Sequence, residues 1–215
     1  MRKLISQPRS DASPQGAAGK SHKHESAERQ VSGQARYIDD MPEAANIHHV
    51  AVGVSSVTSG TITAIDLSLV MASEGVIDVI TVNDIPGHTD IGPVFPGDPL
   101  LAGSEILYHS QPIFAVLATS VNLARQATLK AKINISATAA CLTVAQAKEQ
   151  DNFVRPPHFM RRGDYQTSYA QSPIQIEGEM IIGGQEHMYL EGQVSMAIPE
   201  EEDRMLVYSS SQHPS

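Results

Sequence analysis

Between Pro86 and Gly103 the chain sets Pro86, Pro93, Pro96 and Pro99 among Gly87, Gly92, Gly97 and Gly103, and no other feature restricts its folding so tightly. Proline withholds a backbone donor and glycine loses the most entropy on ordering, so this interval predicts a loop rather than a helix or a central strand. It divides what surrounds it into two halves. Before it, His49 to Ser55 and Gly60 to Asp66 are β-rich runs, Asp66 is placed to cap a helix over Leu67 to Ser73, and Gly75 stands where that helix would stop. Val76 to Val82 is β-branched and bounded by turn residues, which predicts a buried strand. After the loop, Gln111 to Thr119 reads as a strand. Ser120 or Asn122 then opens a helix with Val121, Ala124, Ala127 and Ala131 near one face, and Ile133 to Ser136 is a further strand. Strand, helix, strand on both sides of a loop places the chain in the α+β class.

Composition narrows the setting. The 215 residues carry enough apolar content for a core, and one cysteine, Cys141, rules out a disulfide framework and points to a reducing, cytoplasmic compartment. Cys141 lacks basic neighbours to activate it and reads as an inert, half-buried thiol. No apolar run is long enough to span a membrane, and a net charge of -9 argues against a nucleic-acid partner. The charge is uneven. Residues 1–24 hold Arg2, Lys3, Arg9, Lys20 and Lys23 against Asp11 and lack apolar periodicity, which predicts a disordered basic arm. From Tyr37 to Ser110 there is no Lys or Arg, and the scattered carboxylates of that stretch read as a solvated acidic face rather than a metal cage.

Beyond Cys141, Leu142 to Lys148 forms a short helix, the stretch to Met160 with Pro156 and Pro157 is a linker, and Asp164 caps a helix reaching Ala170. Arg161 and Arg162 read as a solvated pair or an interdomain salt bridge. Three strand-like runs follow: Ile174 to Ile182, Gln193 to Ile198 and Met205 to Ser210. Between the first two lies Gly183-Gly184-Gln185-Glu186-His187-Met188-Tyr189-Leu190-Glu191, the stretch densest in chemistry. Paired glycines after a strand permit a turn with φ > 0 or the close approach of a bulky ligand, and the neutral amide of Gln185 can both donate to and accept from an oxo or hydroxo group. His187 has no spaced His or Cys partner and reads as structural rather than as a metal ligand. Glu186 and Glu191 are expected to hold the loop or meet a further domain, and Tyr189 and Leu190 to pack.

This nine-residue run resembles the GGQ(E/D)H(F/M)YLE motif of the xanthine dehydrogenase and aldehyde oxidase group of molybdenum hydroxylases. Ser32-Gly33-Gln34-Ala35-Arg36-Tyr37-Ile38-Asp39-Asp40-Met41-Pro42 is similar to the same family's entry segment, Asn83-Asp84-Ile85-Pro86-Gly87 to its DIPG loop, and Tyr208-Ser209-Ser210-Ser211-Gln212-His213-Pro214 to its S(T/S)Q(H/N)P strand end. Four motifs occur in the family's order. Ser110 stands where the family usually has glycine, and Ser136-Ala137-Thr138-Ala139-Ala140 departs from its tyrosine-proline segment.

The resemblance implies an α+β fold: an a/b hammerhead domain over residues 25–141 after the basic arm of 1–24, a linker over 142–160, and over 161–215 the first strands of the molybdenum-cofactor-binding domain. It implies a molybdenum–molybdopterin cofactor contacted by Gln185, with Gly183 and Gly184 admitting it. It also implies FAD and 2Fe-2S clusters on flavin and iron–sulfur partner subunits, and hydroxylation of hypoxanthine or xanthine with water as the oxygen source. The catalytic base and the substrate-binding residues of the family lie in motifs that follow its S(T/S)Q(H/N)P segment, so no catalytic residue and no metal ligand is expected within these 215 residues. The isolated chain is therefore expected to be inactive and to need the remainder of the molybdenum subunit. The competing readings are an aldehyde oxidase-type subunit and a non-catalytic hammerhead assembly module or truncated gene product.

Overall fold

The computed structural model describes residues 19–211, and most of the basic arm predicted over 1–24 lies outside them. The described chain separates into two compact units, residues 43–185 and residues 19–42 with 186–211.

The larger unit holds β1 (His49–Val54), β2 (Gly60–Asp66), α2 (Ser68–Met71), β3 (Val76–Thr81), β4 (Glu105–Ile106), β5 (Pro112–Ala118), α3 (Val121–Thr128) and β6 (Lys132–Ala137), followed by α4 (Val144–Glu149) and α5 (Tyr165–Ala170). The smaller begins with α1 (Ala27–Val31) and ends with β7 (Ser195–Pro199) and β8 (Met205–Ser209). Two antiparallel sheets build the larger unit, one in the order β1-β5-β3 and one in the order β4-β2-β6. Each sheet takes strands from both sides of the proline- and glycine-rich loop. The two halves read from the sequence therefore interlock, and neither forms a sheet of its own.

β5 is central and carries the core. Ile113, Phe114, Val116 and Ala118 are almost fully buried and meet Val70, Ala102, Ile106 and Ala127, with Ile62, Leu67, Ile133 and Ile135 packed around them. α3 packs here because Ser120 caps it, its Oγ accepting the Leu123 N–H at 3.2 Å, and because Ala124 and Ala127 let the backbone approach the strands. Gly53 of β1 faces the Phe114 ring, and a Cβ at that position would overlap the ring edge. Val76–Thr81 is less buried than its β-branched run predicts, because pairing only with β5 leaves β3 an edge strand with Ile77 exposed.

The helix after β2 is shorter than Leu67 to Ser73. The Asp66 carboxylate accepts from both the Ser68 amide and the Ser68 hydroxyl, and these bonds hold it below the usual aspartate range. The helix stops at Met71 with its C-cap at Ala72, short of Gly75, which adopts φ 71 directly before β3 and turns the chain into that strand. The loop after β3 is ordered by one carboxylate. Asp90 accepts from the amides of Gly92, Gly97 and Asp98 at 2.9, 2.7 and 3.3 Å, donors that lower its pKa, the Gly92 and Gly97 amides most. At the loop tip the Arg155 guanidinium lies 3.0 Å from the centroid of Phe95. Ser110 has φ 67, the left-handed backbone that glycine adopts without steric cost.

Candidate cofactor-binding site

Residues 174–182 do not form the strand their composition predicts. Ile174, Ile176, Met180, Ile181 and Ile182 are exposed, and the segment finds no ladder partner among the described residues. The physical reason is general: β-branched composition favours extended backbone, but a strand exists only where a second strand accepts its hydrogen bonds.

The two glycines that follow stay outside the left-handed region, and nothing lies within 4 Å of a Cβ built on either. The turn allowed for at Gly183-Gly184 is therefore absent. Left-handed backbone occurs further on, at Met188 with φ 55, whose N–H donates to Glu186 Oε1 at 3.3 Å. Gln185 is exposed and its carboxamide has no partner among the described residues. His187 is exposed too, and no group of three or more His, Cys, Asp or Glu side chains placed to hold a metal occurs among the described residues. Tyr189 and Leu190, expected to pack, are 59% and 82% exposed. Arg161 forms no salt bridge among the described residues and instead lies over Phe159, 5.2 Å from the ring centroid. Cys141 is half-buried with its Sγ 3.9 Å from the Thr143 carbonyl.

The smaller unit holds the first motif, residues 186–191 of the second and Tyr208–Ser211 of the third, whereas Gly183, Gly184 and Gln185 fall in the larger unit. From the first, Tyr37 enters a 3-10 turn over Ile38–Asp40 in which the Tyr37 N–H donates to Asp40 Oδ2 at 3.0 Å. From the second, the Glu191 carboxylate accepts the Ile38 N–H at 3.0 Å across 153 positions of sequence. Three residues on, the Val194 N–H donates to the Ser210 hydroxyl and the Ser210 N–H to the Val194 carbonyl, each at 3.3 Å, which joins the third motif. Of that motif only Tyr208–Ser211 is described. β7 and β8 form a hairpin in which Ser195 pairs with Ser209, and its open end adjoins a concavity of about 520 Å³ lined by Tyr189, Glu191, Gln193 and serine hydroxyls. Expecting Glu186 and Glu191 to hold the loop was sound: Glu186 closes a local turn and Glu191 anchors a distant one. That the distant one is Ile38 has no signal in composition or spacing.

The fourth motif lies in the larger unit. There the Asp84 carboxylate accepts from the hydroxyl and amide of Thr81 at 2.7 and 2.8 Å, bonds that keep it below the usual aspartate range.

Comparison with known proteins sets this arrangement in a family. Residues 32–138 match the family described as aldehyde oxidase and xanthine dehydrogenase, a/b hammerhead domain, and residues 145–215 match the molybdopterin cofactor-binding domain. The chain belongs to the aldehyde oxidase and xanthine dehydrogenase family. A xanthine dehydrogenase from Blastobotrys adeninivorans is 36% identical over 93% of the chain, and aldehyde oxidase 4 from Mus musculus is 34% identical over 89%. The chain spans 14% of the length of each of these relatives. Among solved structures, the aldehyde oxidoreductase of Desulfovibrio gigas superposes with a TM-score of 0.73 at 25% identity over 87% of this chain and 23% of that one. Quinoline 2-oxidoreductase of Pseudomonas putida superposes with a TM-score of 0.74 over 94% and 28%, and at 20% identity it supports the fold alone. The α+β architecture of a hammerhead domain followed by the start of a molybdenum-cofactor-binding domain agrees with all of these.

The residues of the Gly183–Glu191 run suit a molybdopterin rather than a bare ion. They offer an unengaged carboxamide beside backbone with no side chain in the way, so they can hydrogen-bond to polar atoms of an organic group that brings its own metal.

Proposed function

We propose that this chain is part of the molybdenum-binding subunit of a xanthine dehydrogenase, which hydroxylates hypoxanthine and xanthine with water as the oxygen source. Residues 25–141 form its hammerhead domain, 142–160 a linker and 161–215 the opening of its cofactor-binding domain. The observation that carries the reading is the unbroken Gly183–Glu191 run, inside the stretch matched to the molybdopterin cofactor-binding domain, with Gln185 exposed and its amide uncommitted.

When bound, the molybdenum–molybdopterin group supplies the two-electron oxidation and the activated oxygen. Gln185 would hold the group through its carboxamide, whose N–H donates without adding a charge to the site. Gly183 and Gly184 leave room for the approach. The catalytic base, the purine-binding side chains and most pterin contacts come from polypeptide outside these 215 residues, so the isolated chain neither retains stoichiometric molybdenum nor oxidises xanthine. In this reading the partner subunits would carry FAD and 2Fe-2S clusters to take up the electrons, in a cytoplasmic enzyme. An aldehyde oxidase-type subunit is the second reading, favoured by the 34% identity to aldehyde oxidase 4.

The test uses the complete enzyme that contains this chain, assayed with hypoxanthine and with an aromatic aldehyde. Gln185→Ala is expected to lower kcat by about 100-fold, the low end of what removing one preorganised donor costs, without lowering the melting temperature. Unchanged turnover with a lowered melting temperature would defeat the assignment of Gln185, and preference for the aldehyde would move the substrate class to the second reading.

A further inference from the structure

We propose that Glu191 is a positioning residue. Its carboxylate fastens the Ile38–Asp40 turn to the Glu186–Glu191 stretch that follows Gln185 in sequence, so that residues 32–42 brace that stretch although they precede the hammerhead strands. The role in turnover rests on the function proposed above; the anchoring does not.

The 3-10 turn bonds internally through the Asp40 N–H to the Tyr37 carbonyl and the Met41 N–H to the Ile38 carbonyl. Asp40 Oδ2 takes the Tyr37 N–H. Ile38 is left with an N–H that has no acceptor inside the turn, the usual condition of the first residues of any helical turn. Glu191 fills that vacancy at 3.0 Å in a part-buried setting. The pairing is specific in another way. Asp39 and Asp40 stand in the same turn, and Asp39 Oδ2 lies 3.8 Å from where a Cβ on Gly192 would sit. No cation stands in the turn, so the contact rests on the hydrogen bond and not on opposite charge. This orders the variants: glutamine keeps an acceptor, whereas alanine loses it.

Glu191 is also the first long-range tie after Gln185. Among the described residues, the contact between them is local, Met188 to Glu186, and Leu190 and His187 are exposed; after Glu191 the chain is tied again through Val194 and Ser210. Without the Glu191 bond, the run lacking a long-range tie extends from Glu186 to Val194, and the entropy lost on ordering it grows with its length.

In the complete enzyme, Glu191→Ala is expected to raise amide hydrogen exchange at Ile38 at least tenfold while the β5 amides are unchanged, and to lower kcat several-fold with KM for purine held. Glu191→Gln is expected to restore both readouts. Unchanged Ile38 exchange in Glu191→Ala, or a Glu191→Gln variant as impaired as alanine, would overturn the anchor. Faster Ile38 exchange with unaltered kcat would overturn the positioning role. If the wild-type enzyme does not oxidise purines, the exchange readout still decides the anchor, so failure of the functional reading is told apart from failure of this one.

Discussion

Gly53→Ala tests the packing on which the larger unit depends. Gly53 pairs with Phe114 across β1 and β5, and a Cβ there would overlap Cε1 and Cζ of a ring that is 1% exposed. Two effects oppose each other. Alanine restricts the unfolded chain and suits a strand better, which contributes about 0.4–1 kcal/mol in favour of folding. Forcing a methyl against a packed ring costs about 1–3 kcal/mol. The ring also borders a cleft of about 250 Å³ lined by Val54, Leu129 and Ile135, so it has somewhere to move, which places the packing cost toward the middle of that range. The net expectation is a loss of about 1 kcal/mol, or about 2–4 °C in melting temperature for a chain of this size. The chain has no tryptophan, so urea unfolding is followed by far-ultraviolet circular dichroism. The decisive comparison is the sign in a Phe114→Leu background. With the ring gone, Gly53→Ala should become neutral or stabilising by about 0.5 kcal/mol, a coupling of about 1.5 kcal/mol between two touching residues. Equal destabilisation in both backgrounds would refute the ring clash as the cause.

Other substitutions probe local geometry. Ser110→Gly is expected to stabilise the chain by about 0.5 kcal/mol, because releasing a non-glycine residue from φ 67 outweighs the added entropy of the unfolded chain; a lower urea midpoint would count against this. Ser120→Ala removes the α3 cap and should cost about 1 kcal/mol in the same assay, and no change would show that Leu123 N–H finds another acceptor. Asp90 has a folded pKa below its unfolded value, so its contribution to loop order is complete above the unfolded pKa and is lost as pH falls through the folded one. Amide exchange at Gly97, corrected for its intrinsic pH dependence, should therefore accelerate in that acid window and not near neutrality. Tyr169 behaves oppositely: its hydroxyl donates to Glu177 Oε1 at 2.8 Å, which raises its pKa, so the bond persists at neutral pH and is lost as pH rises through the raised value, visible in a phenolate absorbance titration.

Much of this protein is decided by local chemistry and is therefore legible in the order of its residues. Ser120 and Asp164 each act on backbone groups within a few positions, so the starts of α3 and α5 follow from side-chain type, whereas α2 runs only from Ser68 to Met71. The loop around Pro93 and Pro96 follows from withheld donors and glycine entropy in the same way, and the Gly183–Glu191 run carries the family's cofactor signature in a contiguous stretch. Tertiary structure alone decided which strands pair across that loop, that Val76–Thr81 lies at an edge, that residues 174–182 stay unpaired, and that Glu191 reaches Ile38. The reason is the range of the forces. A cap or a turn is satisfied by neighbours, whereas a ladder bond or a carboxylate anchor needs a partner that only the folded backbone brings within 3 Å.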